Sequence, residues 1–173
     1  MLNKILVPID ESASSDWAFD TALAMAKSLK AELVLVHVLE IFAYDSPKQP
    51  FVLVETFSKP VDSAAQKDYE HKWQQFEDRY GALLNQKRAE AEAAGVKATH
   101  LQVQGEPGQK IREAAKSHNV DLIVVGNRDR TNHSSISNYL VRHAPCSVTV
   151  VHPKAHSSST AWVGAQAAEP AYI

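Results

Sequence analysis

The sequence has little of three things: cysteine, long apolar runs and excess charge. Its 173 residues include a single cysteine, Cys146, which excludes an internal disulfide and favours a reducing compartment. No apolar run approaches the roughly 18 residues that span a bilayer, and the first residues lead into a predicted strand rather than a signal peptide. We therefore expect a cytoplasmic protein that does not associate with a membrane.

Charge is nearly balanced, with 18 basic and 20 acidic residues and a formal net charge of −2. Because nucleic acid and anionic membranes are recognised by basic patches, this balance predicts neither as a partner. The sequence also lacks a P-loop, since the GEPG turn at residues 105–108 is not followed by the Gly-Lys-Ser/Thr that closes one.

Two catalytic patterns are missing as well. The eight histidines are scattered without the spacing of a known metal site, so no bound metal is expected. His133 stands beside two serines and near Asp129, but no nucleophile elbow of the G-x-S-x-G type supports a hydrolase triad. Since no acid, base and nucleophile converge by spacing, the sequence favours a protein that works by binding rather than by turnover.

What the sequence does contain is an alternation of short apolar runs with amphipathic segments. Strands are predicted at residues 4–9, 32–39, 98–103, 121–125 and 148–151. Helices are predicted at residues 16–30, 68–94 and 109–117, and from Ser134 or Ser135 to Pro145. The nearly continuous apolar character of the strands is typical of a parallel sheet buried on both faces. The order predicts an α/β fold with a five-stranded parallel sheet and helices on both faces.

Two of the predicted helices have clear apolar faces. The face of the first helix consists largely of alanines, which allow a close approach to the sheet: Ala18, Ala22, Ala26 and Leu29. The helix over residues 68–94 has an aromatic stripe with three- and four-residue spacing that includes Trp73, Phe76 and Tyr80. Such a stripe predicts core packing.

Two segments do not follow the alternation. Residues 40–67 contain three prolines and an apolar patch at residues 51–54, and are longer than an ordinary connection. We interpret them either as a lid or partner surface, or as a family-variable excursion. Residues 154–173 are rich in Ala and Ser without apolar periodicity and predict a flexible C-terminal tail. Residues 1–153 are then one domain.

The last third of the chain carries three motifs, which read VVGNR at residues 124–128, SISNY at 135–139 and RHAPCSV at 142–148. They resemble the carboxyl-terminal signature of the universal stress protein family, and ILVPID at residues 5–10 with LVLVHV at 33–38 resembles its amino-terminal half. The resemblance implies a Rossmann-like sheet of strand order 3-2-1-4-5, in which the first and fourth strands are neighbours. The loops that follow these two strands would then face each other across one crevice.

The resemblance implies an adenine-nucleotide site, for ATP or AMP, in that crevice. Pro8, Ile9 and Asp10 would border the base and ribose, and the Val38 backbone would meet the adenine edge. The residues implied to hold ribose and phosphates are Val125, Gly126, Asn127, Arg128, Ser134, Ser135 and Ile136.

The phosphate loop departs from the family pattern. Asp129 and Ser134 stand where the second and third glycines belong, and the loop is several residues short. Glycine allows backbone N–H groups to approach phosphate closely, whereas Asp129 adds a negative charge there. We therefore expect a site of reduced phosphate capacity, at which AMP binds at least as well as ATP.

Three functions stay open at this point. The first is a stress-response or signalling protein that senses an adenine nucleotide, with Asp10 either touching the ligand or only capping the loop to the first helix. The second is a nucleotide-independent dimeric interaction module, in which residues 127–133 fill the crevice. The third is a slow ATPase.

The resemblance also implies a homodimer through the last strand, Ser147 to Pro153. As the edge of the sheet, this strand exposes an apolar row with Val148 and Val150, which is a liability unless it is paired or covered. Pairing across a two-fold axis would close the contact. The alternative is that residues 154–173 fold back over the edge.

Overall fold

A computed structural model describes residues 2–49, 63–127 and 135–152. Strands and helices alternate strictly along these ranges. The strands are β1 (Lys4–Pro8), β2 (Glu32–Leu39), β3 (Ala98–Gln104), β4 (Leu122–Gly126) and β5 (Ser147–Val151). The helices are α1 (Ala13–Leu29), α2 (Ser63–Ala93), α3 (Pro107–Ser117) and α4 (Ser135–His143).

The strands form one parallel sheet of order β3-β2-β1-β4-β5, which confirms the predicted α/β fold and strand order. The register of the central pair places Ile5 beside Leu122 and Leu6 beside Ile123. Strands β2 and β3 lie on one side of β1 while β4 and β5 lie on the other, so the strand order switches sides between β1 and β4. Because these two strands are parallel, their carboxyl ends lie side by side.

Successive side chains on the strands point to opposite faces of the sheet, and each face has its own core. On one face, Leu33 and Leu35 pack with Phe19 of α1 and Leu84 of α2. On the other, the strand side chains pack with α3 and α4 through Ile111 and Leu140, among others. Helices thus cover both faces, as the sequence predicted.

The first helix begins three residues earlier than predicted, at Ala13 rather than Asp16. Ser12 is its N-cap, with Oγ accepting from the Ser15 N–H at 3.2 Å. Ser12, Ser14 and Ser15 all precede the predicted helix start, but Ser12 is the N-cap and the other two lie in the first turn. The predicted apolar face is also wrong at its last residue, because Leu29 is 46% exposed while Ala18, Ala22 and Ala26 are buried.

Two other helices also begin before their predicted first residues. Helix α2 starts at Ser63, within the segment that broke the predicted alternation, and α3 starts at Pro107, in the predicted turn. Pro at the first turn is compatible with a helix because its missing N–H needs no partner there. Gly95, which directly follows the predicted helix 68–94, forms the C-cap of α2 that a glycine at this position predicts. It has φ +81°, and the Val96 N–H donates to the Ala91 carbonyl at 3.0 Å.

Several predictions fall outside the described residues and stay predictions. They concern the apolar patch at residues 51–54, the loop residues Arg128, Asp129 and Ser134, and the tail at residues 154–173. Within the described ranges, no helix combines the length and apolar character needed to cross a membrane.

Candidate functional site

The order of the sheet places a cleft at the carboxyl ends of its central strands. In doubly wound sheets, ligands bind where neighbouring strands lead to helices on opposite faces, and here β1 leads to α1 while β4 precedes α4. A cleft of about 520 Å³ lies at this edge. Four of the residues implied by the family resemblance line it: Ile9, Asp10, Val38 and Ile136.

Asp10 is held by the loop that leads into α1. One of its carboxylate oxygens accepts from the Ser12 N–H at 2.7 Å and from the Ser12 hydroxyl, while the Asp10 N–H donates to Ser15 Oγ at 3.0 Å. The capping role that the sequence left open for Asp10 is therefore present. A ligand role is compatible with it, because a carboxylate has two oxygens that can each accept more than one bond.

The cleft also contains a buried histidine with an unused nitrogen. His37 is 6% exposed, and its Nδ1 lies 2.7 Å from the Ile9 carbonyl oxygen. A carbonyl only accepts, so Nδ1 carries the proton and Nε2 of the neutral ring is an acceptor. Among the residues that the structure describes, buried Nε2 has no partner. Burial lowers the pKa of His37, although the Ile9 carbonyl and nearby carboxylates oppose the shift.

Helix α2 supplies an aromatic wall behind this histidine. The Tyr80 ring stacks on His37 with centroids 3.8 Å apart and an interplanar angle of 11°, and Phe76 meets Tyr80 edge-on at 5.2 Å. The Tyr80 hydroxyl donates to Asp45 Oδ2 at 2.9 Å. Burial, followed by this bond, raises the pKa of Tyr80 to about 12, so the hydroxyl stays a donor at neutral pH.

Acidic side chains dominate the charge of the lining. Carboxylates at four lining positions face the cleft, and no Lys or Arg lies among the lining residues in the described ranges: Asp10, Glu11, Glu40 and Asp45. Glu11 is paired with Arg79 of α2, which leaves the other three as the main source of negative charge. Such a lining favours ligand groups that donate hydrogen bonds and opposes close approach of several phosphates.

The other implied site residues lie beside the cleft rather than on its described lining. Pro8 is paired in register with Val36, and Val125 is buried in the core on the α3 and α4 face. The Asn127 N–H donates to the Val151 carbonyl at 2.8 Å. A Cβ on Gly126 would lie 2.0 Å from the Ser14 carbonyl oxygen, so this glycine is required for contact between β4 and α1.

Phosphate-loop residues are described only in part. Ser135 begins α4, and Ile136 in its first turn lines the cleft, so the amino-terminus of that helix lies at the same edge of the sheet. Arg128 and Ser134 lie outside the described residues, so their roles stay predictions.

Sequence reasoning missed much of the cleft. Tyr44 and Asp45 fall in the segment that could not be assigned, and Phe76 and Tyr80 belong to the stripe that was interpreted as core. Phe76 and Tyr80 are indeed buried and Trp73 partly so, but Phe76 and Tyr80 also line the cleft. A signal was available in the length of α2, whose 31 residues exceed what a strand of 8 residues can cover.

Within the described ranges, no group of three or more His, Cys, Asp or Glu is placed to hold a metal ion. Cys146, the single thiol, is partly buried, and burial raises its pKa. A raised thiol pKa opposes formation of the reactive thiolate. The lining itself supplies carboxylates that accept hydrogen bonds and aromatic rings that can contact a ligand.

The fold is a doubly wound α/β domain with a cleft at the carboxyl ends of its central strands. A sequence model of the Universal stress protein family matches residues 1–152. The chain is 31% identical over 154 residues to a putative universal stress protein of Staphylococcus aureus, covering 85% of this chain and 82% of the relative. It is 38% identical over 88 residues to a universal stress protein of Synechocystis sp., covering 48% of this chain and 82% of that relative. The chain belongs to the universal stress protein family.

Solved structures agree with this assignment. Universal stress protein UspA from Lactobacillus plantarum matches with a TM-score of 0.61 and 25% identity over 87% of this chain and 97% of that one. A universal stress protein in complex with cAMP matches with a TM-score of 0.59 and 22% identity over 87% and 97%. A universal stress protein family protein from Arabidopsis thaliana with AMP bound matches with a TM-score of 0.58 and 19% identity, covering 92% of this chain and 97% of that one. At 22% and 19% sequence identity, the similarity to the last two structures concerns the fold alone.

Proposed function

We propose that this universal stress protein binds an adenine nucleotide in the cleft at the carboxyl ends of the central strands, and that it acts by binding rather than by turnover. The observation that carries the proposal is the convergence of Ile9, Asp10, Val38 and Ile136 on one cleft. These residues come from the loop after β1, from strand β2 and from helix α4, which are far apart in the sequence.

A monophosphate is the favoured ligand. Two of the solved structures with the same fold contain cAMP and AMP, and each of these ligands has one phosphate. The carboxylates of Asp10, Glu40 and Asp45 repel additional phosphates, whereas ribose hydroxyls and the adenine amino group can donate to them. We therefore propose that AMP binds at least as well as ATP.

Nucleotide carried through purification is the first test. We expect mass spectrometry of denatured protein to release an adenine nucleotide, and calorimetric titration to give heat with AMP at least as strongly as with ADP or ATP. Asp10→Asn should weaken AMP binding, while Asp20→Asn on the exposed side of α1 serves as the matched control. Absence of both bound nucleotide and heat with AMP, ADP, ATP and cAMP would exclude the proposal.

Slow ATP hydrolysis is the enzymatic alternative. Incubation of pure protein with ATP separates it from the proposal, because a binding protein releases no ADP above the buffer blank. ADP release that is lost in Asp10→Ala but kept in Asp20→Ala would show that the cleft is an active site.

A nucleotide-independent interaction module is the second candidate. It is favoured by the exposed apolar side chains of Ile41 and Phe42 next to the cleft, and by the use of Gly126 for packing rather than for a phosphate contact. In either case we propose a cytoplasmic role in stress response or signalling, supported by family membership and the single cysteine.

A further inference from the structure

The turn after β2 is anchored at several points. The Ala43 N–H donates to the Glu40 carbonyl and the Ser46 N–H donates to the Ala43 carbonyl, both at 3.3 Å. The hydroxyl of buried Ser46 lies 2.6 Å from the Ile41 carbonyl oxygen and 2.9 Å from that of Ala43. These bonds fix the backbone of residues 40–46 at the mouth of the cleft.

Tyr44 lies between two anchored neighbours and presents its ring to solvent. Asp45 accepts from the Tyr80 hydroxyl, and Ala43 is held by the bonds to Glu40 and Ser46. The Tyr44 side chain is fully exposed although the residue lines the cleft, and its ring stacks on no other ring in the described part of the chain. A flat apolar surface is therefore held at the edge of the cleft, and no group in the described ranges covers it.

The chemistry of the lining identifies the ligand group that this surface fits. Below the entrance are hydrogen-bond acceptors, which include Asp10 and the unpartnered Nε2 of His37. The carboxylates of Asp10, Glu40 and Asp45 oppose a phosphate at this end of the cleft, whereas a purine base is flat and carries no charge. Aromatic side chains bind bases by stacking on their faces.

We infer that Tyr44 is a binding residue of the cleft, whose ring stacks on the purine base of the nucleotide. This inference rests on the proposed function and adds the residue that covers the outer face of the base. Phe42 provides the matched control: it is equally aromatic, exposed and close in sequence, but it does not line the cleft.

Titration of three variants with AMP and with ribose 5-phosphate tests the inference. Tyr44→Ala should lower AMP affinity by roughly five- to hundredfold, the range for one stacked base, and leave the weaker affinity for ribose 5-phosphate unchanged. Tyr44→Phe should retain AMP affinity because it keeps the ring. Phe42→Ala should retain it because that ring lies off the cleft.

A second measurement observes stacking directly. The H2 and H8 proton resonances of bound AMP should shift upfield with wild-type protein and Tyr44→Phe, and the shift should be smaller with Tyr44→Ala. If wild-type protein binds AMP and Tyr44→Ala binds it equally well, this inference is overturned while the proposed function stands. An equal loss in Phe42→Ala would overturn it too, whereas failure of wild-type protein to bind any adenine nucleotide would remove both.

Discussion

Gly126 shows how a residue of a ligand motif can be required for the fold. It ends β4, and a Cβ there would lie 2.0 Å from the carbonyl oxygen of Ser14 and 2.5 Å from the carbonyl carbon. Both atoms belong to the backbone of α1, which cannot move without shifting the loop that holds Asp10. The glycine thus permits α1 to lie against β4.

We predict that Gly126→Ala lowers the free energy of unfolding by about 3 kcal/mol or more, because an added methyl group meets backbone rather than a side chain that can move. Gly81→Ala is the control. At that helical position the nearest atom to a new Cβ is Gln102 Oε1 at 3.5 Å, so alanine should raise stability by about 0.5–1 kcal/mol. Urea denaturation measures both, and equal midpoints would contradict this account.

His37 makes the stability of the protein depend on pH. Its folded-state pKa is lowered, chiefly by burial, so the unfolded chain takes up a proton near pH 6.5 that the folded chain does not. Stability should be complete above about pH 6.5 and fall as pH drops toward the folded-state pKa, by up to about 1.4 kcal/mol per pH unit for this group.

The variant His37→Gln isolates that contribution, since its amide can still donate to the Ile9 carbonyl but does not titrate. Between pH 8 and pH 5, the thermal unfolding midpoint of His37→Gln should fall less than that of wild-type protein. Parallel curves would mean that His37 takes up its proton equally in both states.

At the scale of elements, α3 depends on an unusual cap. Glu106 precedes the helix, and its carboxylate accepts from the N–H groups of Gly108 at 3.0 Å and Gln109 at 2.7 Å. We predict that Glu106→Ala costs about 1 kcal/mol, since two N–H groups at the helix start lose a charged acceptor. Glu113→Ala, which removes only an exposed pair with Lys110, should leave the unfolding midpoint almost unchanged. Chemical denaturation of the two variants measures both changes, and equal midpoints would contradict the capping role of Glu106.

Strands were easier to predict than helix starts, for a physical reason. A strand buried on both faces must be apolar along its length, so β2 could be bounded correctly at Glu32 and Leu39. A helix start depends on which of several polar residues caps it. The serines and acidic residues from Asp10 to Asp16 offer several candidate N-caps. Strand order came from the resemblance, because the alternation of elements alone does not fix it.

The site was predictable where it follows strand ends and not where it depends on α2. Asp10 and Val38 could be placed because residues after parallel strands gather at one edge of the sheet. The contact of His37 with Tyr80 could not, since it requires knowing where a 31-residue helix lies along the sheet. Helical spacing reveals which residues share a face but not which of them extends beyond the strands.

At the scale of the whole molecule, the sheet has two edges with different cover. Strand β3 packs beside α2, and the side-chain amide of Gln102 in β3 donates to the Glu77 carbonyl of α2 at 3.0 Å. Strand β5 pairs with β4 and with no other strand in the described ranges. Val148 and Val150 of β5 are only partly buried, and no strand of the described ranges pairs with the outer backbone edge of β5.

We predict that the protein is a homodimer in which β5 of one copy pairs with β5 of the other across a two-fold axis. Sedimentation at micromolar concentration should show a dimer, and hydrogen exchange of the β5 amides should be slow where the dimer predominates and faster on dilution. A chain ending at Lys154 separates this contact from cover by the tail: it should sediment as a dimer with the same slow amides. A monomer in the full-length protein would exclude the pairing, and a change to fast-exchanging β5 amides only on truncation would assign the cover to residues 155–173.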